Sequence, residues 1–396
     1  MDYDIIIIGA GPAGLSFARS LAKTDLNILM IEKSSIDQLS QPAPDGREIA
    51  LTHLSVKLMK ELGVWSHIPP EVISPIKKAK VLNGNSPYFL NFGNEESSLE
   101  ALGYLVPNYH IRQALYEEVK TVENVEIMTG VTVTDVQPGF LSLSNGNNLQ
   151  TSLIVAADSR FSSSRRKMGI PASMHDFSRV AIVSRMEHEK SHNQTAFECF
   201  HYGRTLAILP MTGNMSSVVI TVSADVADSI LNMTEEQFNI DVQQQFKSRL
   251  GSMKLIGKRY SYPLVAVHAN RFVAERFALI GDAAVGMHPV TAHGFNLGLR
   301  GQNTLAKEIK SAISKNQDIG SMQLLSKYDR KHQSITKPLY FGTNKIVELF
   351  TNDTLPAKVV RSVTLRFANH FAPIKRMITN KLTEKDQKTY LPFIKL

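Results

Sequence analysis

At 396 residues, with 43% hydrophobic and 20% charged side chains, the chain is long enough to bury a sizeable core, to form two interleaved domains and to enclose a large cofactor. It carries no repeat and no low-complexity tract, which excludes solenoid and disordered classes; its single cysteine, Cys199, excludes an intramolecular disulfide and a multi-thiolate metal site and reads as a packing residue. The net charge of +8 suits an anionic cofactor or an anionic membrane surface, and without a helix-turn-helix, zinc-finger or aromatic-rich RNA-binding pattern no nucleic-acid partner is expected.

The start, Met1-Asp2-Tyr3-Asp4, is acidic, and the apolar run Ile5 to Ile8 is too short for a signal peptide or a membrane span. A cytoplasmic protein without a spanning helix is the expectation. Tyr3 to Ile8 reads as a buried parallel strand. Gly9-Ala10-Gly11-Pro12-Ala13-Gly14 follows, a G-x-G-x-x-G leading into a helix-like run from Ala13 to Ala22. Gly9 permits the tight turn, Gly11 lets backbone approach a pyrophosphate, and Gly14 lets the helix pack on the strand, while Pro12 and Ala13 open the helix whose amino terminus faces the phosphates. A second strand, Asn27 to Ile31, ends at Glu32 and Lys33, where an acidic group meets adenosine ribose hydroxyls.

Asp45-Gly46-Arg47 precedes a helix-like run from Ala50 to Leu62; His110-Ile111-Arg112 supplies another cation, and Gly130 to Val136 reads as a strand. Ser152 to Ala156 is a strand that delivers Asp158 to a loop ahead of Ser159 and Arg160. Val180 to Ser184, Leu206 to Pro210 and Ser217 to Val222 are strands of a second sheet, beside which Phe200, Tyr202 and Met211 either line a ring pocket or fill core. Phe277 to Ile280 ends in Gly281-Asp282-Ala283-Ala284, followed by His288-Pro289 and by Gly294-Phe295-Asn296 at the start of a long helix to Ser314. An Asp at a strand end can accept from ribityl hydroxyls, and a helix amino terminus can stabilise charge on a reduced flavin. His288 and His293 either transfer a proton near neutral pH or pack the loop.

From Tyr340 onward ten Lys/Arg stand against four Asp/Glu, with an apolar stripe Leu355, Val359, Val363, Phe367 and Phe371. That basic amphipathic helix has two readings, a cover for the main domain or a membrane-surface contact.

On its three motifs the chain resembles the class A flavin monooxygenases, the para-hydroxybenzoate hydroxylase-like group, over roughly residues 1–335. Asp45 to Thr52 and Gly281 to Asn296 are most similar to the bacterial ubiquinone-biosynthesis hydroxylases of the UbiM type. The resemblance implies an α/β fold: a discontinuous Rossmann-like FAD-binding domain (1–75, 101–174, 266–335), an interleaved β-sheet substrate domain (76–100, 175–265) and C-terminal helices (336–396). It implies FAD contacts from Gly9, Gly11, Pro12, Ala13, Gly14, Glu32, Lys33, Arg47, Arg112, Val133 (or Val131), Asp158, Gly281, Asp282, Gly294, Phe295 and Asn296. Ser159 stands where the family has glycine, and Val285 where it has histidine.

The implied reaction uses NAD(P)H or another electron donor and O2 to hydroxylate the ring of a polyprenylated phenol or quinol. The implied partners are that substrate and other ubiquinone-biosynthesis proteins, with peripheral contact at the inner membrane face through the C-terminal region. No second fingerprint binds NAD(P)H and no Cys-x-x-Cys pair exists, which disfavours a two-dinucleotide reductase; no Trp-x-Trp exists, which disfavours a halogenase. A small soluble phenol as substrate, prenyl-lipid reduction, and a non-catalytic flavin-binding subunit are the competing readings.

Overall fold

The computed structural model describes residues 2–84, 89–93, 99–201, 203–288, 293–351, 354 and 383–384. The chain opens with β1 (Tyr3–Ile8), α1 (Pro12–Ser20), β2 (Ile28–Glu32), α2 (Ile36–Ser40), β3 (Glu48–Leu51), α3 (His53–Glu61), β4 (Ser74–Ile76), β5 (Lys78–Asn83) and β6 (Phe89–Gly93). Then come β7 (Gly103–Pro107), α4 (Asn108–Val119), β8 (Val125–Thr129), β9 (Val133–Gln137), β10 (Phe140–Leu143), β11 (Asn148–Ala156) and α5 (Ser163–Lys167). The second half holds β12 (Ala172–His188), β13 (Thr195–His201), β14 (Arg204–Pro210), β15 (Met215–Ser223), α6 (Ala224–Leu231), α7 (Glu235–Gln245) and β16 (Met253–Ala269). β17 (Val273–Ala274), β18 (Phe277–Leu279), β19 (Val285–Gly286), α8 (His293–Ile313) and α9 (Met322–Thr351) complete the described chain.

The first sheet is parallel at its centre, in the order β18-β11-β1-β2-β8. Its unbroken apolar strands belong in a sheet covered on both faces, and Ile5, Ile6, Ile7, Leu153, Ile154 and Val155 are all fully buried. Register brings Ile8 beside Ile31 and Ala156, and Ala156 beside Leu279. The loops that follow β1, β11 and β18 therefore leave from one carboxyl edge, where open α/β sheets take their ligands. α1 packs against α4 and α8, and Ser20 Oγ donates to Gln302 Oε1 at 2.9 Å to tie α1 to α8.

The second sheet has eight strands in the order β19-β16-β12-β15-β14-β13-β5-β6. One face lies under α6 and α7, where Ile182, Leu206, Ile208, Val218 and Ile220 join Phe238 and Phe246 in a separate core. β12 and β16 are long enough, at 17 residues each, to run past positions 175 and 265 toward the first sheet. A third, small sheet has the order β3-β7-β4.

Two expected elements differ. The helix read from Ala50 begins as β3: Ile49 and Ala50 pair with Val106 and Leu105 of β7, and Thr52 then caps α3 by accepting from Ser55 N–H. The strand read over Gly130 to Val136 is interrupted because Gly130 adopts φ 72°, so β8 ends at Thr129 and β9 starts at Val133. The stripe Leu355 to Phe371 lies outside the described residues. Among the described residues no helix is long and apolar enough to cross a membrane.

Candidate active site

The fingerprint forms a tight strand-turn-helix. Gly9 adopts φ 103°, and a Cβ on Gly14 would lie 2.0 Å from the Gly9 carbonyl oxygen, so the helix can approach the turn only without a side chain there. A Cβ on Gly11 would meet nothing within 4 Å, so this glycine faces open space. Gly11 is the N-cap of α1 and offers no side-chain acceptor. The first-turn amides of Ala13 and Gly14 are left uncapped at the positive end of the helix, with Pro12 at its first turn. Glu32, buried at the end of β2, accepts from Ala10 N–H at 2.8 Å and Ser34 N–H at 2.9 Å, one bond to each oxygen. Lys33 beside it is exposed. Val131 N–H donates to Glu32 C=O, which sets the backbone before Val133 against the end of β2; Val133 itself pairs with Leu143.

The Asp158 loop lies on the same edge. Asp158 Oδ2 accepts from Ser164 N–H at 3.1 Å, while its buried Oδ1 has no partner among the described residues. Ser159 holds φ 74°, the left-handed turn for which glycine is the easier residue. Gly281 adopts φ 59°, and a Cβ there would lie 2.7 Å from Ala13 Cβ. The Gly281-Asp282 turn thus packs directly on the fingerprint helix.

Two arginines that received no role in the sequence reading connect these segments. Arg160 Nη2 pairs with Asp282 Oδ2 at 3.1 Å, and its Nη1 donates to Val265 C=O. Arg165, buried, donates through Nη1 to the carbonyls of Arg160 and Ala283. The cluster Arg160-Arg165-Arg166 was a visible signal of a basic loop, but Val265, Asp282 and Ala283, which Arg160 and Arg165 reach, lie more than a hundred residues on.

At the start of α8, Asn296 Nδ2 donates to Ala50 C=O at 2.9 Å and its Oδ1 accepts from Thr52 N–H at 3.1 Å. Its amide is thus engaged with the β3–α3 junction. Phe295 is half-buried against the main core, and Gly294 has space around it. Glu384, far along the chain, accepts from Thr52 Oγ1 at 2.9 Å and pairs with Arg300 at 3.2 Å. Glu384 is therefore tied to the amino-terminal part of α8 and to the start of α3.

His293 is buried as the first residue of α8. His288 is buried edge-on against Phe177 at 4.6 Å. Burial, then Arg179 and His175, push the His288 imidazole down to about 4. Of the two readings of this histidine, a lowered basicity favours the packing one. Pro289 lies outside the described residues.

Arg47 sits where the two halves meet. It pairs with Asp45 at 2.6 Å and lies over the Tyr262 ring, whose hydroxyl donates to Asp45 C=O at 2.6 Å. Burial opposes it, but the Arg47 guanidinium and the Asn108 amide hold the Asp45 carboxyl below its usual range. Next along, Glu48 is bound by Arg185 of β12, at 2.9 Å to Nε and 2.7 Å to Nη2, with the guanidinium over the Tyr109 ring. Arg112 is half-buried on α4. Of the ring-pocket candidates, Phe200 joins Leu90 and Phe92 in a small apolar cluster. Met211 is half-buried in the β14–β15 turn, and Tyr202 lies outside the described residues.

The arrangement fits a flavin dinucleotide. Glycines clear a pyrophosphate-sized approach, a buried acid closes the second strand, and two further acids stand on the same edge, one with an unsatisfied oxygen.

Comparisons with known proteins agree. A family profile described as FAD binding domain matches residues 2–340. The chain is 49% identical over 388 residues to the ubiquinone hydroxylase UbiM of Neisseria meningitidis serogroup C, covering 96% of this chain and 84% of that one. It is 32% identical over 378 residues to the ubiquinone hydroxylase UbiL of Rhodospirillum rubrum, covering 94% and 88%. Among solved structures, p-nitrophenol 4-monooxygenase PnpA from Pseudomonas putida superposes with a TM-score of 0.76 at 16% identity, covering 96% of this chain and 98% of that one, a likeness of fold.

Proposed function

The chain belongs to the FAD-binding-domain family of flavin monooxygenases, among the ubiquinone-biosynthesis hydroxylases, and from that membership we propose that it hydroxylates the aromatic ring of a polyprenylated phenol or quinol. The observation that carries the reading is the convergence of three strand ends, at Gly9, Asp158 and Gly281-Asp282, on one sheet edge. An NAD dehydrogenase needs only the first.

Bound FAD supplies two-electron redox chemistry and the activation of O2, with electrons from NAD(P)H or another donor. Gly9, Gly11, Pro12, Ala13 and Gly14 receive the pyrophosphate, Glu32 with Lys33 and Val133 the adenosine end, and Asp158 and Asp282 the hydroxyl-bearing chain. Arg47 and Arg112 balance the negative charge, and Gly294, Phe295 and Asn296 present the amino terminus of α8. His288, edge-on against Phe177, packs beside the site, and His293, the first residue of α8, is the candidate to hold a proton.

A prenylated substrate resides in lipid, at ~0.8 kcal/mol per buried CH2. Exposed Phe341 and Ile346 flank Lys345 on α9, which supports peripheral membrane contact near the C-terminal region. Sedimentation with anionic vesicles that is unchanged by Phe341→Ser with Ile346→Ser would count against that contact.

The test of the main reading is quinone-lipid profiling of a deletion strain grown under labelled O2. Complementation is expected to restore quinone carrying labelled oxygen. Equal restoration by a variant unable to bind FAD would refute it.

A further inference from the structure

Across the second sheet, register places Val81, Glu198, Ala207, Val219, Val183 and Tyr260 in one row over β5, β13, β14, β15, β12 and β16. The alternating residues Leu206, Ile208, Val218 and Ile220 are fully buried under α6 and α7, whereas Ala207 and Val219, on central strands, stay half-buried. The row therefore faces the other way. That face is turned to the flavin-binding half: in the adjacent row Arg185 reaches Glu48 of β3, and Tyr262, on the same face as Tyr260, donates to Asp45 C=O. Small side chains thus face the cofactor domain from the centre of the sheet. At its β5–β6 side Leu90, Phe92 and Phe200, with Val81 and Leu349, form an apolar wall.

Glu198 is the one carboxylate in this row. Its side chain is half-buried on the face turned to the flavin-binding half and keeps accessible surface there. Among the described residues it makes no hydrogen bond or ion pair. A carboxylate drawn partly out of water without a protein donor carries an uncompensated desolvation cost, and an aromatic hydroxyl can supply the missing donor.

We propose that Glu198 binds the ring hydroxyl of the substrate and takes its proton, with the Leu90-Phe92-Phe200 wall receiving the first part of the apolar chain. The inference rests on the hydroxylase reading above. In the step, the phenolic O–H bond breaks, the proton passes to a Glu198 carboxylate oxygen, and the electron pair stays on the phenolate oxygen. Electron density rises at the ortho and para ring carbons, the positions an electrophilic oxygen attacks. The proton leaves to solvent after product release, so nothing is consumed.

Burial pushes the Glu198 carboxyl up to about 7, which brings its basicity closer to that of a phenol, near ~10, than an ordinary carboxylate comes. The charged and titratable groups on this face include Arg185, held by Glu48, Arg179 and Glu187 on the same strand, and Tyr260 and Tyr262, and α4 brings Tyr109 and His110 beside Arg185. None of them shifts Glu198; Lys247 and Arg249 act instead on Cys199, whose side chain lies on the opposite face.

The experiment uses FAD-loaded protein in two assays. In the first, 2-geranyl-4-nitrophenol is titrated without any reductant and its phenolate band is followed. In the second, flavin reduced stoichiometrically by dithionite is mixed with oxygenated buffer and 2-geranylphenol, and hydroxylated product per flavin is measured from pH 5.5 to 8.5. For Glu198→Gln, flavin content is expected to be unchanged, the phenolate band to be lost, and the hydroxylation rate to fall by about 100-fold, with loss of the rate's rise through pH 7. Added formate is expected to restore part of the rate to Glu198→Ala and none to wild type. A Gln variant that binds, hydroxylates and responds to pH within twofold of wild type overturns the inference alone. Wild-type protein that neither binds nor hydroxylates the prenylated phenols overturns the proposed substrate class together with it.

Discussion

Glu198→Gln is expected to stabilise the protein while it disables hydroxylation, and the gain depends on pH in a calculable way. Burial raises the Glu198 carboxyl from an ordinary 4.5 to about 7. At ~1.36 kcal/mol per pH unit this is an upper limit of about 3 kcal/mol by which the ionised side chain destabilises the fold. The folded protein holds this proton more tightly than the unfolded chain does. Stability is therefore lost as the pH rises from about 4.5 to 7, and the deficit stays complete above 7. Glutamine carries no charge, so the variant should match wild type near pH 4.5 and exceed it at pH 8.5. With an unfolding entropy of ~2.1 cal/mol/K per residue over 396 residues, about 3 kcal/mol corresponds to a Tm gain of about 4 °C. Thermal melts of both FAD-loaded proteins, followed by circular dichroism across this pH range, give the difference directly. A difference that is flat with pH, or a variant less stable at pH 8.5, would refute the uncompensated burial on which the argument depends.

Gly14→Ala places a Cβ 2.0 Å from Gly9 C=O; the helix must retreat from the turn, and bound flavin, read from its visible absorbance, should fall at least about tenfold, equivalent to ~1.4 kcal/mol. Ser159→Val puts a β-branched residue at φ 74°, for a loss of about 1–3 kcal/mol seen in thermal melts, whereas Ser159→Gly should stay within about 1 kcal/mol of wild type; equal melts for Val and Gly would show that the turn relaxes freely. Glu384→Ala removes one partner of Arg300, the two side chains being 5% and 15% exposed. A loss of about 3 kcal/mol and faster proteolytic removal of the C-terminal region are expected, and an unchanged cleavage rate would argue against that tether.

The fingerprint was legible because its physics is local. Gly9, Gly11 and Gly14 state their own backbone requirements, and four consecutive isoleucines in β1 can only belong to a covered strand. Ala50 and Leu51 were misread because their apolar spacing continues that of α3, while antiparallel pairing with Leu105 and Tyr104 holds them extended. Gly130 broke a strand through a positive φ that periodicity does not register. Arg160 and Arg165 were hidden for another reason: their partners at Asp282 and Ala283 are close only after β18 lies beside β11. Glu198 carried a local signal, a lone acid in the apolar stretch Thr195 to His201, but which face it shares with Ala207 and Val219 is fixed only by register across strands.

Two carboxylates between the halves make a useful contrast. Burial pushes both Glu48 and Glu198 up to about 7, yet Glu48 has the Arg185 guanidinium against it and links β3 to β12, which is a structural use for a charge. Glu198 links nothing, and glutamine would fill the same space without the desolvation penalty. A residue that weakens the fold and supports no other element is best explained by a ligand that meets it, since active sites are where such instability is retained. The same reasoning ranks the two groups as targets. Glu48→Gln should lower stability by weakening the Arg185 contact, with flavin loading and hydroxylation following stability, whereas Glu198→Gln should separate the two, with higher stability and lost hydroxylation in one protein.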